Sequence, residues 1–509
     1  MKALDTLGTR LDGWMNPVLV KELRQAVRGR FIVTMLSLSL LAQVIAISIF
    51  MITDSLSPQR FSVMAVGAET FTTLFFVMFT ATVFFIPLYG GLRMAVERSD
   101  SNVDLLFVTT IRPRTIVIGK LLTLMALTAL IFCASLPFLV FSYVLRGIDV
   151  FTIFFVLVIG FLGVTTASIV ALFLGCIPAS KPFRFVLGIG FCGMTLMTYA
   201  GLANIITTVI RTSTSSMFTS PDFWNAIAAT MVLVVALDAV LLVVTTTVIT
   251  PPAANRALPI RAMASIVWLL SLGAATRLVF KASNSDALEM WATAMIALVT
   301  VVLCSAIGER EVWGPRVART IPKNVFKRAL AFLFYSGGAG GTLWSIVFFA
   351  LTATAYFIVM DVRPSHTLYP EKSISTEVFV EAALCFLAYA LTGLFLRRRW
   401  LHRVPPRATW AIGLVIFLVV AIVPPIVLLV GYSGTMALKA HYDIITILNP
   451  FPRIEGSGHP LRLPILIAWA AAAFVMNLSW MAEKWRAFRR MPGNGEVDDA
   501  IDVAQSEVA

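Results

Sequence analysis

The sequence predicts an all-α polytopic membrane protein with about twelve transmembrane helices and with both termini in the cytosol. Apolar residues make up 59% of the 509 residues, whereas charged residues make up 13%, about half the share found in a soluble domain. The apolar residues fall in runs of roughly 20, the length that crosses about 30 Å of hydrocarbon as a helix. Composition and run length together therefore predict helices that span a membrane.

The distribution of charge predicts the orientation of these helices. The chain has 40 basic and 27 acidic residues and a net charge of +13. In a soluble protein such an excess would suggest a nucleic-acid partner, but here the basic residues lie in the loops, and we expect no nucleic-acid partner. With both termini inside, the cytosolic segments hold about three times as many basic residues as the outer segments, in agreement with the positive-inside rule.

An amphipathic helix is predicted within residues 1–30, the cytosolic segment ahead of the first span. Asn16 is a favourable N-cap, and Pro17 suits the first position of a helix. At 100° per residue, apolar side chains share one face and basic side chains the opposite face, which is typical of an interfacial helix that lies on the membrane. An ordinary basic juxtamembrane segment is the alternative. Six residues define the predicted helix: Asn16, Pro17, Lys21, Glu22, Arg24 and Arg28.

Twelve apolar runs follow, and they divide into two sets of six. Residues 31–250 hold the first six spans, residues 251–481 hold the second six, and residues 482–509 form a polar cytosolic tail that we expect to be disordered. A glycine-rich stretch precedes the ninth span, and there we expect close helix packing rather than a break. The predicted spans are 31–53, 69–92, 119–145, 150–176, 184–210, 225–250, 262–280, 290–307, 341–360, 378–396, 408–430 and 464–481.

The cytosolic stretch between the second and third spans, residues 93–120, holds a short predicted helix. Ser101 and Asp104 have the spacing of a capping box, in which Ser101 accepts a hydrogen bond from the Asp104 N–H. The helix ends ahead of Pro113, because the residue before a proline disfavours helical geometry. Pro113 can in turn begin the helix that becomes the third span. A short helix with one apolar face is a candidate for docking in the groove of a soluble partner, and packing against the cytosolic ends of this chain is the alternative.

The same stretch resembles a known family. AVER at 95–98, VDLLFVTT at 103–110 and RPRTIVIGK at 112–120 look like the permease subunits of type-2 ABC transporters. NPV at 16–18 with KELR at 21–24 is similar to the elbow helix that precedes the first span in that family. The resemblance covers about the first 250 residues, the usual six-span unit, and leaves the second six spans unassigned.

The resemblance implies a permease subunit of an ATP-driven exporter in the plasma (inner) membrane of a bacterium. In that family the loop between spans two and three forms a coupling helix, which docks on a separate ATP-binding subunit. The implied partners are that subunit, membrane lipid, and a second permease in a homodimer or heterodimer. ATP and Mg are expected on the partner, and no cofactor is expected in this chain. The resemblance assigns ten residues to coupling: Glu97, Arg98, Ser101, Asp104, Leu105, Leu106, Phe107, Pro113, Gly119 and Lys120.

Motifs for nucleotide hydrolysis and metal binding are missing from the sequence. A phosphate loop has the pattern GxxxxGK followed by Ser or Thr. The one Gly-Lys pair here, Gly119-Lys120, has Arg114 in place of the first glycine and Leu121 in place of the Ser or Thr. No zinc-protease or nucleophile-elbow motif is present, and the histidines and cysteines lack metal-ligand spacing. We therefore expect a transport subunit rather than an enzyme, with no catalytic residue and no metal site.

An ATP-independent secondary transporter or channel is the alternative function, because twelve spans also fit the six-plus-six plan of such transporters. Asp238 lies near the middle of the sixth span, where a carboxylate costs about 2.5–3.5 kcal/mol. It could line a pathway or pair with another helix, or it could be a hydrogen-bonded structural residue. A Glu-Arg pair recurs at Glu309-Arg310, but residues 309–328 show no capped apolar helix, which favours coincidence or heavy divergence over an internal duplication.

Overall fold

The computed structural model describes residues 16–56, 63–99, 112–145, 148–177, 181–211, 218–251, 254–281, 286–309, 313–362, 376–423, 448 and 461–490. These residues are helical or lie in short connections, with no β-strand among them. The chain divides into two compact units, Met1–Thr250 (unit 1) and Pro251–Ala509 (unit 2).

The described residues of unit 1 form one amphipathic helix followed by six long apolar helices. Its third helix has 37 residues, well beyond the roughly 20 that cross the hydrocarbon, so its last turns can carry charged side chains beyond the membrane. The helices are α1 (Pro17–Arg28), α2 (Arg30–Leu56), α3 (Val63–Ser99), α4 (Pro113–Val144), α5 (Val150–Cys176), α6 (Lys181–Arg211) and α7 (Pro221–Ile249).

Unit 2 also contains long apolar helices, together with two shorter helices between its second and third spans. Its fifth apolar helix continues through a π-helical turn, Leu418–Ile422, and the remainder of the predicted span 408–430 lies outside the described residues. The helices are α8 (Ala257–Lys281), α9 (Asp286–Ala306), α10 (Pro315–Ala318), α11 (Val325–Phe334), α12 (Gly338–Val362), α13 (Thr376–Arg399), α14 (Thr409–Phe417) and α15 (Arg462–Ala487).

Eleven helices in the described part of the chain are long and apolar enough to cross a membrane, and Thr409–Val420 forms a shorter apolar helix. This confirms the predicted all-α polytopic membrane protein of about twelve spans. The many apolar side chains on the outer surface of the helices are explained by hydrocarbon as the surrounding solvent.

The core of unit 1 forms where α3 packs against α5. Phe71, Phe75 and Phe79 lie one turn apart on α3, are fully buried, and stack with ring centroids 6.0 and 5.4 Å apart. Gly160 on α5 gives these rings room, since a Cβ there would lie 2.9 Å from the Phe75 ring. Close approach at a small residue is the usual way in which membrane helices pack.

The prediction that residues 309–328 lack a capped apolar helix is wrong at the end of that range, where α11 begins. Helix α11 begins at Val325, and its N-cap Asn324 accepts a hydrogen bond from the Phe326 N–H at 2.9 Å. A single Asn side chain supplies this cap, so the helix begins without the spacing of a capping box.

The glycine-rich stretch before α12 serves both for a break and for close packing, whereas packing alone was expected. Gly337 has a φ of 154°, which glycine adopts far more readily than other residues, and it separates α11 from α12. A Cβ at Gly340 would lie 2.0 Å from the Phe332 carbonyl oxygen, and one at Gly341 would lie 2.3 Å from the Ala306 Cβ. These glycines therefore let α12 approach both α11 and α9.

Candidate functional site

A cluster of four charged side chains lies where α1, the end of α3 and the beginning of α4 meet. Lys120 on α4 contacts two carboxylates, Glu22 on α1 and Glu97 on α3, with Nζ 2.8 Å from an oxygen of each. Arg93 on α3 contacts the same two carboxylates, at 3.0 Å from Glu22 and 3.7 Å from Glu97. Two acids and two bases give a neutral cluster that joins three helices.

Burial makes this cluster different from an ordinary surface ion pair. The side chains of Lys120 and Glu22 are 6% and 8% exposed, whereas that of Glu97 is 41% exposed. A buried charge is costly unless it is paired and hydrogen-bonded, and removing one partner of a buried pair costs about 3–5 kcal/mol. The contact between Lys120 and Glu22 is therefore the strongest constraint in the cluster, and the contact to Glu97 lies at its solvent edge.

Local sequence explains how α1 reaches this position. Asn16 caps α1 by accepting a hydrogen bond from the Val18 N–H at 3.0 Å, and its side-chain N–H donates to the Thr115 carbonyl of α4 at 2.7 Å. Gly119 leaves space for this contact, because a Cβ there would lie 2.9 Å from both Asn16 Nδ2 and Val18 Cβ. One side chain thus begins a helix and attaches it to the third span.

Arg93 connects the cluster to two residues that sequence reasoning missed, Gln25 and Tyr89. Its guanidinium donates to the Tyr89 hydroxyl at 2.8 Å and to the Gln25 side-chain oxygen. Arg93 itself was not among the predicted coupling residues. The available signal was the i, i+4 spacing of Tyr89, Arg93 and Glu97, which places all three on one face of a helix.

The structure brings together part of the predicted coupling set. Glu97, Gly119 and Lys120 meet at the cluster, and Pro113 begins α4 with Arg112 as an extended N-cap at φ −69° and ψ 137°. Arg98 lies within α3, but its side chain is outside the described part. The predicted docking helix also lies outside the described residues, with Ser101, Asp104, Leu105, Leu106 and Phe107.

The predicted elbow residues separate into two groups on α1. Glu22 points inward to the cluster, and Pro17 occupies the first turn behind the Asn16 cap. The basic residues Lys21, Arg24 and Arg28 are exposed. An exposed basic face suits anionic lipid headgroups at the membrane surface.

Asp238 pairs with a neighbouring span. Its Oδ2 accepts a hydrogen bond from the Thr166 hydroxyl of α5 at 2.9 Å, and the residue is half-buried. This contact joins α7 to α5.

Unit 2 has its own buried ion pair at the corresponding end of its helices. Arg261 in the first turns of α8 is 1% exposed and contacts Glu309, which follows α9, at 2.7 Å. Its guanidinium also donates to the carbonyls of Leu333, Tyr335 and Gly337. Burial raises the pKa of the Glu309 carboxyl, while Arg261 and the Gly337 N–H act in the opposite direction. The pair fixes the end of α11 against α8.

A second buried pair, Arg462 with Glu381 at 3.0 Å, joins α15 to α13. The Glu381 side chain is 2% exposed and lies against Arg462. No group of His, Cys, Asp and Glu side chains that could hold a metal ion occurs within the described ranges.

Comparisons with known proteins give no match for this chain: no family model matches it, and neither a curated protein nor a solved structure does.

Proposed function

We propose that this chain is the membrane permease subunit of an ATP-driven exporter of the type-2 ABC class, coupled to a separate ATP-binding subunit. The chain is a multi-pass helical membrane protein, which suits transport, and it has no phosphate loop of its own. The resemblance of residues 95–120 to the coupling region of such permeases indicates an ATP-binding subunit as the partner. The observation that supports the proposal most directly is the bridge from Lys120 to Glu22 and Glu97.

This bridge gives the loop a mechanical role. Residues 100–111 connect the end of α3 to the beginning of α4, and the cluster ties both of these ends to α1. Separating the buried Lys120 and Glu22 would be costly, and Arg93 attaches the end of α3 to the same glutamate at 3.0 Å. A displacement of the loop is therefore transmitted to all three helix ends. A partner that displaces the loop on ATP binding would then move two spans and the interfacial helix together, as in the rigid-body transitions of other switching proteins.

Co-purification tests this proposal. Tagged chain, extracted in mild detergent, should bring down an ATP-binding subunit that mass spectrometry identifies, and the complex should hydrolyse ATP. Changing Leu106→Glu and Phe107→Glu should lower the recovery of that subunit at least twofold, because two charges would enter the predicted apolar docking face. The matched control places two glutamates in the predicted outer loop, Ser215→Glu and Ser216→Glu, and should leave recovery unchanged. Wild-type chain that brings down no ATP-binding subunit would contradict the proposal.

The alternative function, an ATP-independent transporter or channel, would use polar groups within the membrane. Asp238 and its partner Thr166 are the pair that would serve it. Purified chain in liposomes would then move solute under an ion gradient alone, and Asp238→Asn would abolish that movement. Under the proposal made above, an ion gradient without ATP drives no transport.

A further inference from the structure

The two units pack their spans in the same order. In chain order, α2 to α7 of unit 1 correspond to α8, α9, α12, α13, α14 and α15 of unit 2. In unit 1, α3 contacts α2, α4, α5 and α6, and in unit 2 its counterpart α9 contacts α8, α12, α13 and α14. The fourth span contacts the third, fifth and sixth in both units, and the sixth also packs on the third. The same set of neighbours thus occurs twice.

The amphipathic helices of the two units also correspond in space. Helix α1 packs on the first and third spans of unit 1, and α11 packs on the first and third spans of unit 2. Each begins at an asparagine whose side-chain oxygen accepts the N–H two residues later, at 3.0 Å for Asn16 and 2.9 Å for Asn324. Their positions along the chain differ, because α1 precedes the first span of its unit whereas α11 lies between the second and third.

A glutamate at the end of the second span makes similar connections in each unit. Glu97 contacts Lys120 in the first turns of the third span at 2.8 Å. Glu309 accepts from the Gly337 N–H, directly before the third span of unit 2, at 2.6 Å, and contacts Arg261 at 2.7 Å. In both units this carboxylate ties the end of the second span to the beginning of the third.

From these correspondences we infer that unit 2 is a structural repeat of unit 1, so that one chain supplies both permease halves and binds two ATP-binding subunits. The inference rests on the proposed function. Six spans return the chain to the side on which it began, so the loop between α9 and α12, like residues 100–111, is predicted on the cytosolic side. Two identical ATP-binding subunits related by symmetry offer the same docking surface twice. Two repeats in one chain can each bind one of these surfaces, so no second copy of the permease is needed. The second docking surface would lie in the loop between α9 and α12.

Stoichiometry tests the inference. The chain is co-expressed with the ATP-binding subunit that the co-purification identifies, and the complex is measured by native mass spectrometry without nucleotide. One chain with two ATP-binding subunits is expected, and the chain alone should be monomeric. The variant Leu106→Glu with Phe107→Glu removes the docking face of unit 1 only, so a complex of one chain with one subunit is expected. The control Ser215→Glu with Ser216→Glu should retain two subunits.

The other outcomes separate the inference from the proposed function. A complex of two chains with two subunits, or a stable dimer of the chain alone, would overturn the inference and leave the proposed function standing. Loss of both subunits from the Leu106→Glu, Phe107→Glu variant would also overturn it, because unit 2 would then have no docking surface of its own. A wild-type chain that recovers no ATP-binding subunit would overturn both.

Discussion

Replacing Lys120 by methionine should destabilise unit 1 far more than replacing its solvent-side partner. Methionine keeps an unbranched apolar side chain but removes the ammonium group. Glu22 and Glu97 are then left with Arg93 alone, so one negative charge is uncompensated. Breaking a buried pair in this way costs about 3–5 kcal/mol. Glu22 keeps Arg93 at 3.0 Å, so the lower end, about 3 kcal/mol, is expected, and this equals a change of roughly 100-fold in the unfolding equilibrium. Glu97→Gln removes a half-exposed partner and should cost about 1 kcal/mol or less.

Unfolding of the purified chain by increasing SDS, followed by tryptophan fluorescence, measures both variants against the wild type. The double variant Glu22→Gln with Lys120→Met removes one charge of each sign, so its loss of stability should be smaller than the sum of the two single losses. If Lys120→Met costs no more than Glu97→Gln, or if the double variant shows simple additivity, Lys120 and Glu22 are not coupled and the rigid link between α1 and α4 is refuted.

Two further predictions concern close packing and the second ion pair. Gly119→Ala should lower stability and weaken the attachment of α1, because its Cβ would lie 2.9 Å from Asn16 Nδ2. The control Gly188→Ala on α6 meets nothing within 4 Å and should be neutral or slightly stabilising. Limited proteolysis of the N-terminal segment compares the two variants. Arg261→Met should destabilise unit 2 by about 3–5 kcal/mol, because it leaves buried Glu309 and several carbonyls without their charged donor. Equal SDS midpoints for Arg261→Met and the wild type would contradict this.

The lengths of the spans and the starts of α1 and α4 could be predicted from the residues next to them in the sequence. The span lengths follow from runs of apolar residues, and the start of α1 follows from Asn16-Pro17. The start of α4 follows from Arg112-Pro113, because the ring of Pro113 suits the first helical position and pushes Arg112 into extended geometry. Each of these signals lies within a few residues of the feature that it specifies.

The ion cluster could not be predicted in the same way, because its partners are distant along the chain. Glu22 and Lys120 are 98 positions apart, and nothing near either residue shows that α1 returns to the third span. The helix α11 was missed for a different reason. Its cap, Asn324, stands without the acidic residue three positions later that marks a capping box.

The order of synthesis gives the Lys120–Glu22 contact a further consequence. Ribosomes add about 5–20 residues per second, so Glu22 leaves the ribosome about 5–20 seconds before Lys120 does. During that interval α1 can rest on the membrane surface through its apolar face, with the carboxylate still hydrated. Insertion of α4 then delivers the lysine and withdraws both charges from water. The contact therefore cannot close before Lys120 has been made, so its formation shows that α1 and the beginning of the third span have met.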